Sequence, residues 1–247
     1  MLLLYGRIRL HSNYANSMDI DTRKEQLDQR INSAARRAGR DPSEIRLLAV
    51  SKTRSACTIR TLASLGQKAF GENYLQESLD KIQQLADLEL EWHFIGQIQR
   101  NKTAAVAANF DWVQSVDRLV IAERLSAQRA TDKKAINVCI QVRMSQETGK
   151  GGVLPEDLLP LAEAINSLPG IVIRGLMAIP ENTTDTEKQK MAFREMYRLY
   201  SILKRQYDSV DTLSMGMSGD FGLAIAEGST MIRVGTALFG SRDYIKR

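Results

Sequence analysis

The stretch Arg46-Leu47-Leu48-Ala49-Val50-Ser51-Lys52-Thr53 decides how the rest of the chain is read. Its apolar run is short, uninterrupted and free of Gly or Pro, the pattern of a strand covered on both faces in a parallel sheet. Lys52 stands directly after it, on the face that strand alternation shares with Leu48 and Val50. A lysine so close to a buried strand end is costly unless it is paired or reactive. Desolvation lowers an amine's pKa, which is what imine formation requires. A lysine that snorkels to the rim is the plainer reading of the same position.

Outward from this stretch the pattern repeats. Upstream, Thr22-Arg23-Lys24-Glu25 reads as a capping box that opens a helix. Leu27, Ile31, Ala34, Ala35 and Ala38 follow at helical spacing, and Gly39 ends it. Strands are expected at Arg46–Ser51, Lys68–Gly71, Glu91–Ile95, Trp112–Val116, Ile136–Val142, Val172–Ile179, Thr212–Met217 and Met231–Gly235, the second having the weakest signal. Helices are expected between them near Thr58–Leu65, Gln76–Leu85, Lys102–Ala108, Leu119–Arg129, Leu158–Leu168, Thr186–Tyr207 and Phe221–Ala226. A second capping box is read at Thr186, closed by Gln189.

Eight strands alternating with helices, and one helix in front, predict an α/β fold: a single (β/α)8 TIM-type barrel with an extra N-terminal helix. An open doubly wound sheet is the alternative, but no Gly-x-Gly-x-x-Gly turn follows the first strand. Nothing in composition marks a linker or repeat. Residues 1–17 are expected to be a flexible N-terminal tail and residues 18–247 one barrel.

Composition removes several function classes. The net charge is +5 over 247 residues, with no Arg/Lys run interleaved with aromatics, so a nucleic-acid surface is not expected. His11 and His93 are the two histidines, which excludes a multi-histidine metal site, and no nucleophile elbow supports a Ser-His-Asp triad. Cys57 and Cys139 lie far apart with no CxxC, pointing away from disulfides and toward a reducing compartment. Met1-Leu2-Leu3-Leu4-Tyr5 is too short to span a bilayer, so no membrane partner and a cytoplasmic protein are expected.

In such a barrel, function gathers where the strands end. Gly71-Glu72-Asn73-Tyr74 closes the second strand, and Asn73 can donate to a ring hydroxyl. His93 is either a core histidine or a ligand contact. Ser214, Gly216 and Ser218 share one face at the end of strand seven, and Ser218-Gly219-Asp220 opens the next helix, where N–H groups favour an anion. Arg233-Val234-Gly235-Thr236 ends strand eight beside them, and the two strand ends together suit a phosphate. Arg233 points inward and needs an acceptor, either a ring nitrogen of a ligand or a structural carboxylate. Asn101-Lys102 and Lys150-Gly151-Gly152 offer further loop lysines, for a second anion or for solvent.

Taken together the motifs resemble a known family. They are Leu48-Ala49-Val50-Ser51-Lys52-Thr53, Phe70-Gly71-Glu72-Asn73-Tyr74, His93-Phe94-Ile95-Gly96, Gln99 with Asn101-Lys102, and Gly175-Leu176-Met177-Ala178-Ile179-Pro180. Ser214-Met215-Gly216-Met217-Ser218 and Arg233-Val234-Gly235-Thr236-Ala237-Leu238-Phe239-Gly240 complete the series. From about Leu27 to Tyr244 the chain is similar to the pyridoxal phosphate homeostasis protein family. The resemblance implies an alanine-racemase-like barrel holding pyridoxal 5'-phosphate (PLP) as a Schiff base on Lys52. It further implies Asn73 beside the ring, His93, Met177 and Met217 in the pocket, Ser214, Ser218, Gly235 and Thr236 on the phosphate, and Arg233 near the ring nitrogen. The implied role is PLP supply and amino-acid balance without turnover, as a monomer, with PLP-dependent apo-enzymes as partners. Two departures stand out beside the tail: Gly222 inside a helix, and Gln97 where a proline is frequent.

Two other functions use the same residues. A PLP-dependent racemase or decarboxylase would need acid/base groups on both faces of the ring, with Tyr74 or Tyr244 opposite Lys52. A lyase or aldolase would use Lys52 on a sugar phosphate with no cofactor.

Overall fold

A computed structural model describes residues 14–144, 151–181 and 183–240, with side chains from residue 20 onward. Its eight strands are β1 (Arg46–Val50), β2 (Ala69–Glu72), β3 (Glu91–Phe94), β4 (Trp112–Val116), β5 (Ile136–Gln141), β6 (Ile171–Met177), β7 (Thr212–Ser214) and β8 (Met231–Val234). Each pairs in parallel with the next, and β8 closes on β1 with Leu47 opposite Ile232 and Ala49 opposite Val234. This is the closed barrel the alternation predicts.

Period two sorts the side chains. Leu48 turns inward to pack with Ala69, Ile95 and Met231, while Ala49 turns outward into the main core against the helices. A second inner group is Trp112, Cys139 and Met177. The barrel interior is thus thinly apolar, and the bulk of the hydrophobic core lies between strands and helices. Burial pushes the Cys139 thiol up to about 12, leaving it an inert filler.

The helices are α1 (Tyr14–Arg37), α2 (Ala56–Ser64), α3 (Leu75–Gln84), α4 (Thr103–Asn109), α5 (Leu119–Gln128), α6 (Leu158–Asn166), α7 (Thr186–Gln206), α8 (Phe221–Ala226) and α9 (Thr236–Phe239). Leu27, Ile31, Ala34 and Ala35 bury one stripe of α1, which packs on α2, α8 and α9 and so bridges the two ends of the helical ring. Among the described residues no helix is long and apolar enough to cross a membrane.

Three local expectations are corrected. Thr22 lies inside α1, which starts at Tyr14, so Thr22-Arg23-Lys24-Glu25 does not open the helix. Residues 1–13 of the expected tail fall outside the described residues. At α7 the cap is Asp185, whose Oδ1 accepts from the N–H groups of Glu187 (3.0 Å) and Lys188 (3.2 Å); Gln189 instead donates to the Thr183 carbonyl. Strand β7 stops at Ser214, short of Met217, because Gly216 takes φ 94° and turns the chain toward α8. Ser214, Gly216 and Ser218 therefore do not share a strand face.

Two glycines give opposite predictions. Gly175 has φ 151°, and a side chain there would collide with the Thr212 carbonyl across the β6–β7 pair. Gly175→Ala is expected to destabilise by more than about 3 kcal/mol, through forced separation of two paired strands. Gly222 sits in α8 with nothing within 4 Å of an added Cβ. Gly222→Ala is expected to stabilise by up to about 1 kcal/mol. Urea unfolding of the two variants checks both signs.

Candidate functional site

At the C-terminal ends of the strands the barrel opens into a cavity of about 280 Å³. Loops after β1, β2, β7 and β8 and the ends of β6 and β8 bring Lys52, Asn73, Met177, Met217, Ser218, Arg233, Gly235 and Thr236 to its wall. Val50, Arg54, Ile95, Ile179 and Gly219 line it as well. Val50 and Ile95 were legible as inward strand ends by alternation, whereas Arg54 is placed by the loop, its guanidinium donating to the Gly240 carbonyl at 2.6 Å.

His93 and Ser214 are not on that wall. They lie one level down, in a chain of hydrogen bonds along the barrel axis. Arg233 Nη1 donates to Ser214 Oγ (2.9 Å) and to the Ser214 carbonyl (2.7 Å). The Ser214 hydroxyl donates to Gln114 Oε1 (2.7 Å), and Gln114 Nε2 donates to His93 Nδ1 (2.9 Å). His93 Nε2–H then donates to Glu91 Oε1 (2.5 Å), which also takes Arg46 Nη2 at 2.7 Å. Every donor points the same way, so the imidazole is fixed as the Nε2–H tautomer. The ring also stacks on Trp112, centroids 5.1 Å apart.

Burial keeps the His93 ring below the usual histidine range, against the pull of Glu91. Burial would raise the Glu91 carboxyl, but the His93 ring and Arg46 outweigh it and bring it to about 2. His93 thus acts as a neutral link between the two ends of the chain, and its two ring nitrogens are both taken by protein partners. Gln114 was missed in the sequence; the available signal was a carboxamide two residues after Trp112 in a strand buried along its whole length.

Arg233 is the end of this chain that meets the cavity. It is buried, burial lowers its pKa to about 10, and it donates again to the Ala178 carbonyl at 2.8 Å. Among the described residues no carboxylate pairs with it, so the structural-carboxylate alternative does not hold and the cavity contains an unneutralised cation. On the same cavity wall, Asn73 Oδ1 is buried with no hydrogen-bond partner. Such an orphaned acceptor costs stability unless a ligand fills its place.

The β7 and β8 loops form the other wall. Ser218 Oγ accepts from Ala237 N at 3.3 Å, tying the two loops together. Among the described residues the N–H groups of Ser218, Gly219 and Thr236 have no backbone acceptor. Small side chains leave this wall open: an added Cβ at Gly219 would meet nothing within 4 Å, while one at Gly235 would press on the Val50 carbonyl at 3.3 Å. Unpaired amides converging from two loops are an anion cradle. Asn101 and Lys102 are exposed and away from the cavity, as for solvated loop residues, and Lys150 lies outside the described residues. Tyr74 is 55% exposed and off the cavity wall, and Tyr244 lies outside the described residues.

Residues 23–243 match the family described as Alanine racemase, N-terminal domain. A protein of Pseudomonas aeruginosa named pyridoxal phosphate homeostasis protein is 55% identical over 215 residues, 87% of this chain and 92% of that one. One of the same name from Pasteurella multocida is 48% identical over 233 residues, 93% of this chain and 100% of the relative. Among solved structures, PipY of Synechococcus elongatus with PLP bound superposes with a TM-score of 0.78 at 36% identity, covering 90% of this chain and 100% of PipY.

The axial chain predicts two outcomes. Gln114→Leu strands the Ser214 hydroxyl and His93 Nδ1, and is expected to cost about 2–4 kcal/mol in chemical denaturation. His93 also sets a pH dependence. Its folded pKa is depressed, so below about pH 6.5 the unfolded chain binds the extra proton first. Stability from His93 is complete above that pH and drains away as pH falls; Glu91 adds a loss of the same sign from about 4.5 toward about 2. Urea midpoints measured from pH 7.5 to 5 should fall less steeply in His93→Gln than in the wild type.

Proposed function

Because this chain belongs to the pyridoxal phosphate homeostasis protein family, within the alanine racemase N-terminal domain fold, we propose that its cavity binds PLP through a Schiff base on Lys52. The observation that carries this reading is the convergence on one cavity wall of a lysine, a cation without a carboxylate, an orphaned buried carboxamide oxygen and an amide-lined anion cradle. The lysine, the arginine and the cradle fit the aldehyde, ring nitrogen and phosphate of one PLP molecule, and the Asn73 carboxamide fits its phenolic oxygen when turned to donate from Nδ2.

The residues then divide the work. Lys52 supplies the amine. Ser218, Gly219 and Thr236 hold the phosphate through their N–H groups, with Gly235 leaving room for it. Asn73 meets the phenolic oxygen, and Met177 and Met217 pack against the ring as apolar neighbours. Arg233 donates toward the ring nitrogen and keeps it unprotonated, because a guanidinium at a pKa of about 10 still holds its protons at neutral pH. Bound PLP supplies an electrophilic carbonyl and an electron sink, weakened in the latter by the arginine.

The lining around Lys52 supports a role in holding and supplying PLP without turnover. Among the described lining residues there is no carboxylate, histidine, tyrosine or cysteine. Racemisation needs a proton donor on the face opposite the lysine. With Tyr74 exposed outside the cavity, that donor has no place among these residues. PLP-dependent apo-enzymes are the recipients this role requires.

Purified protein mixed with PLP is expected to turn yellow. Borohydride should bleach it while leaving a pyridoxyl group on the peptide that contains Lys52. Lys52→Ala should lose the covalent product and retain weaker PLP binding through the phosphate cradle. Protein that PLP cannot colour would end the proposal, and colourless imine trapping with a sugar phosphate would favour the cofactor-free lyase. For turnover, D- and L-amino acids are incubated in deuterated water. Catalytic Cα exchange that depends on Lys52 would replace the supply role with an enzymatic one.

A further inference from the structure

Behind the cavity, a partly buried group of charges grips the turn that carries Lys52 without lining the cavity itself. Lys81, from α3, is 4% exposed. Its ammonium donates to the Ser51 carbonyl (2.8 Å), Glu72 Oε1 (2.8 Å) and Glu77 Oε1 (2.5 Å), which uses all three of its protons. Glu77 Oε1 also accepts the Thr53 N–H at 2.6 Å, and the Ser51 hydroxyl donates to Glu72 Oε1 at 2.5 Å.

The placement of these bonds is specific. The Ser51 carbonyl belongs to the peptide unit before Lys52, and the Thr53 N–H to the peptide unit after it. Fixing those two planes fixes both backbone torsions of Lys52, and with them the direction in which its side chain leaves. The turn needs holding: Thr53 is β-branched yet sits at φ 64°, a left-handed conformation such residues avoid. A buried ion cluster is a poor source of stability compared with apolar packing of the same volume, so folding alone gives little reason for it here.

We propose that Glu77 and Lys81, seated on Glu72, are positioning residues that aim Lys52 into the cavity. The inference rests on the reading of Lys52 as the residue that links to PLP. It predicts that the cluster governs the covalent step and leaves the phosphate contacts untouched.

The experiment measures PLP affinity and the borohydride-trapped fraction for wild type, Glu77→Ala, Glu77→Gln and Lys81→Met, each with Lys52 present and with Lys52→Ala. With Lys52 present, Glu77→Ala and Lys81→Met are expected to weaken binding about tenfold and to shift the pH at which the visible absorbance changes form. Glu77→Gln keeps an acceptor for the Thr53 N–H and should recover most of the loss. On the Lys52→Ala background the same substitutions should change PLP affinity by less than about twofold. Glu77 is one-third exposed, so Glu77→Ala carries the test if Lys81→Met fails to fold. Equal losses on both backgrounds, or no loss in Glu77→Ala, would overturn the positioning role while leaving the PLP site intact. Failure of the wild type to trap PLP at all would overturn both.

Discussion

The pairing of β8 with β1 is the constraint from which the rest follows. A parallel sheet left open would have two edges and could place alternate residues against water. Closure removes the edges and forces every second side chain into a narrow interior, where polar groups must satisfy one another or a ligand. Here the interior contains an arginine, a serine, a glutamine, a histidine and a glutamate in addition to its few apolar residues. They form one directional chain of hydrogen bonds that ends at the cavity.

That chain explains why a buried guanidinium is tolerated next to an open site. Ser214 and Ala178 satisfy Arg233 with neutral oxygens, so its charge is not cancelled before a ligand arrives. At the far end the chain closes on Glu91, whose carboxylate is taken by His93 and Arg46. Lys52 is handled differently. Its direction is set by the backbone on either side, and the charges that hold that backbone pair among themselves at its back. One device orients a side chain from its tip; the other orients it from its root.

Much of the architecture was legible because it rests on local periodicity. Runs such as Leu47-Leu48-Ala49-Val50 and Ile136-Asn137-Val138-Cys139-Ile140 are short and apolar or β-branched, the pattern of covered strands, and all eight appear in the expected order. The ends were less legible. Thr22 had the right partner three residues on but no reason to start a helix already under way, and Asp185 outcompeted Thr186 for the cap one residue earlier. In β7, alternation alone extends the strand past Ser214, and Gly216 at φ 94° breaks it.

The site divides along the same line. The sequence by itself determined the kinds of residue at the strand ends, since Lys52, Asn73, Met177, Met217, Ser218, Arg233, Gly235 and Thr236 each follow a strand or close one, and a barrel sends those positions to a common mouth. Tertiary structure decided which of the inward residues reach that mouth and which stay below it. His93 and Ser214 differ from the wall residues by one level along the axis, and level is set by the stagger of eight strands against each other, a property of the closed barrel that no single strand encodes. The same holds for Lys81 and Glu77: on α3 they read as an ordinary surface pair four residues apart. Only the packing of that helix behind β1 and β2 turns them into a clamp on the peptide units beside Lys52.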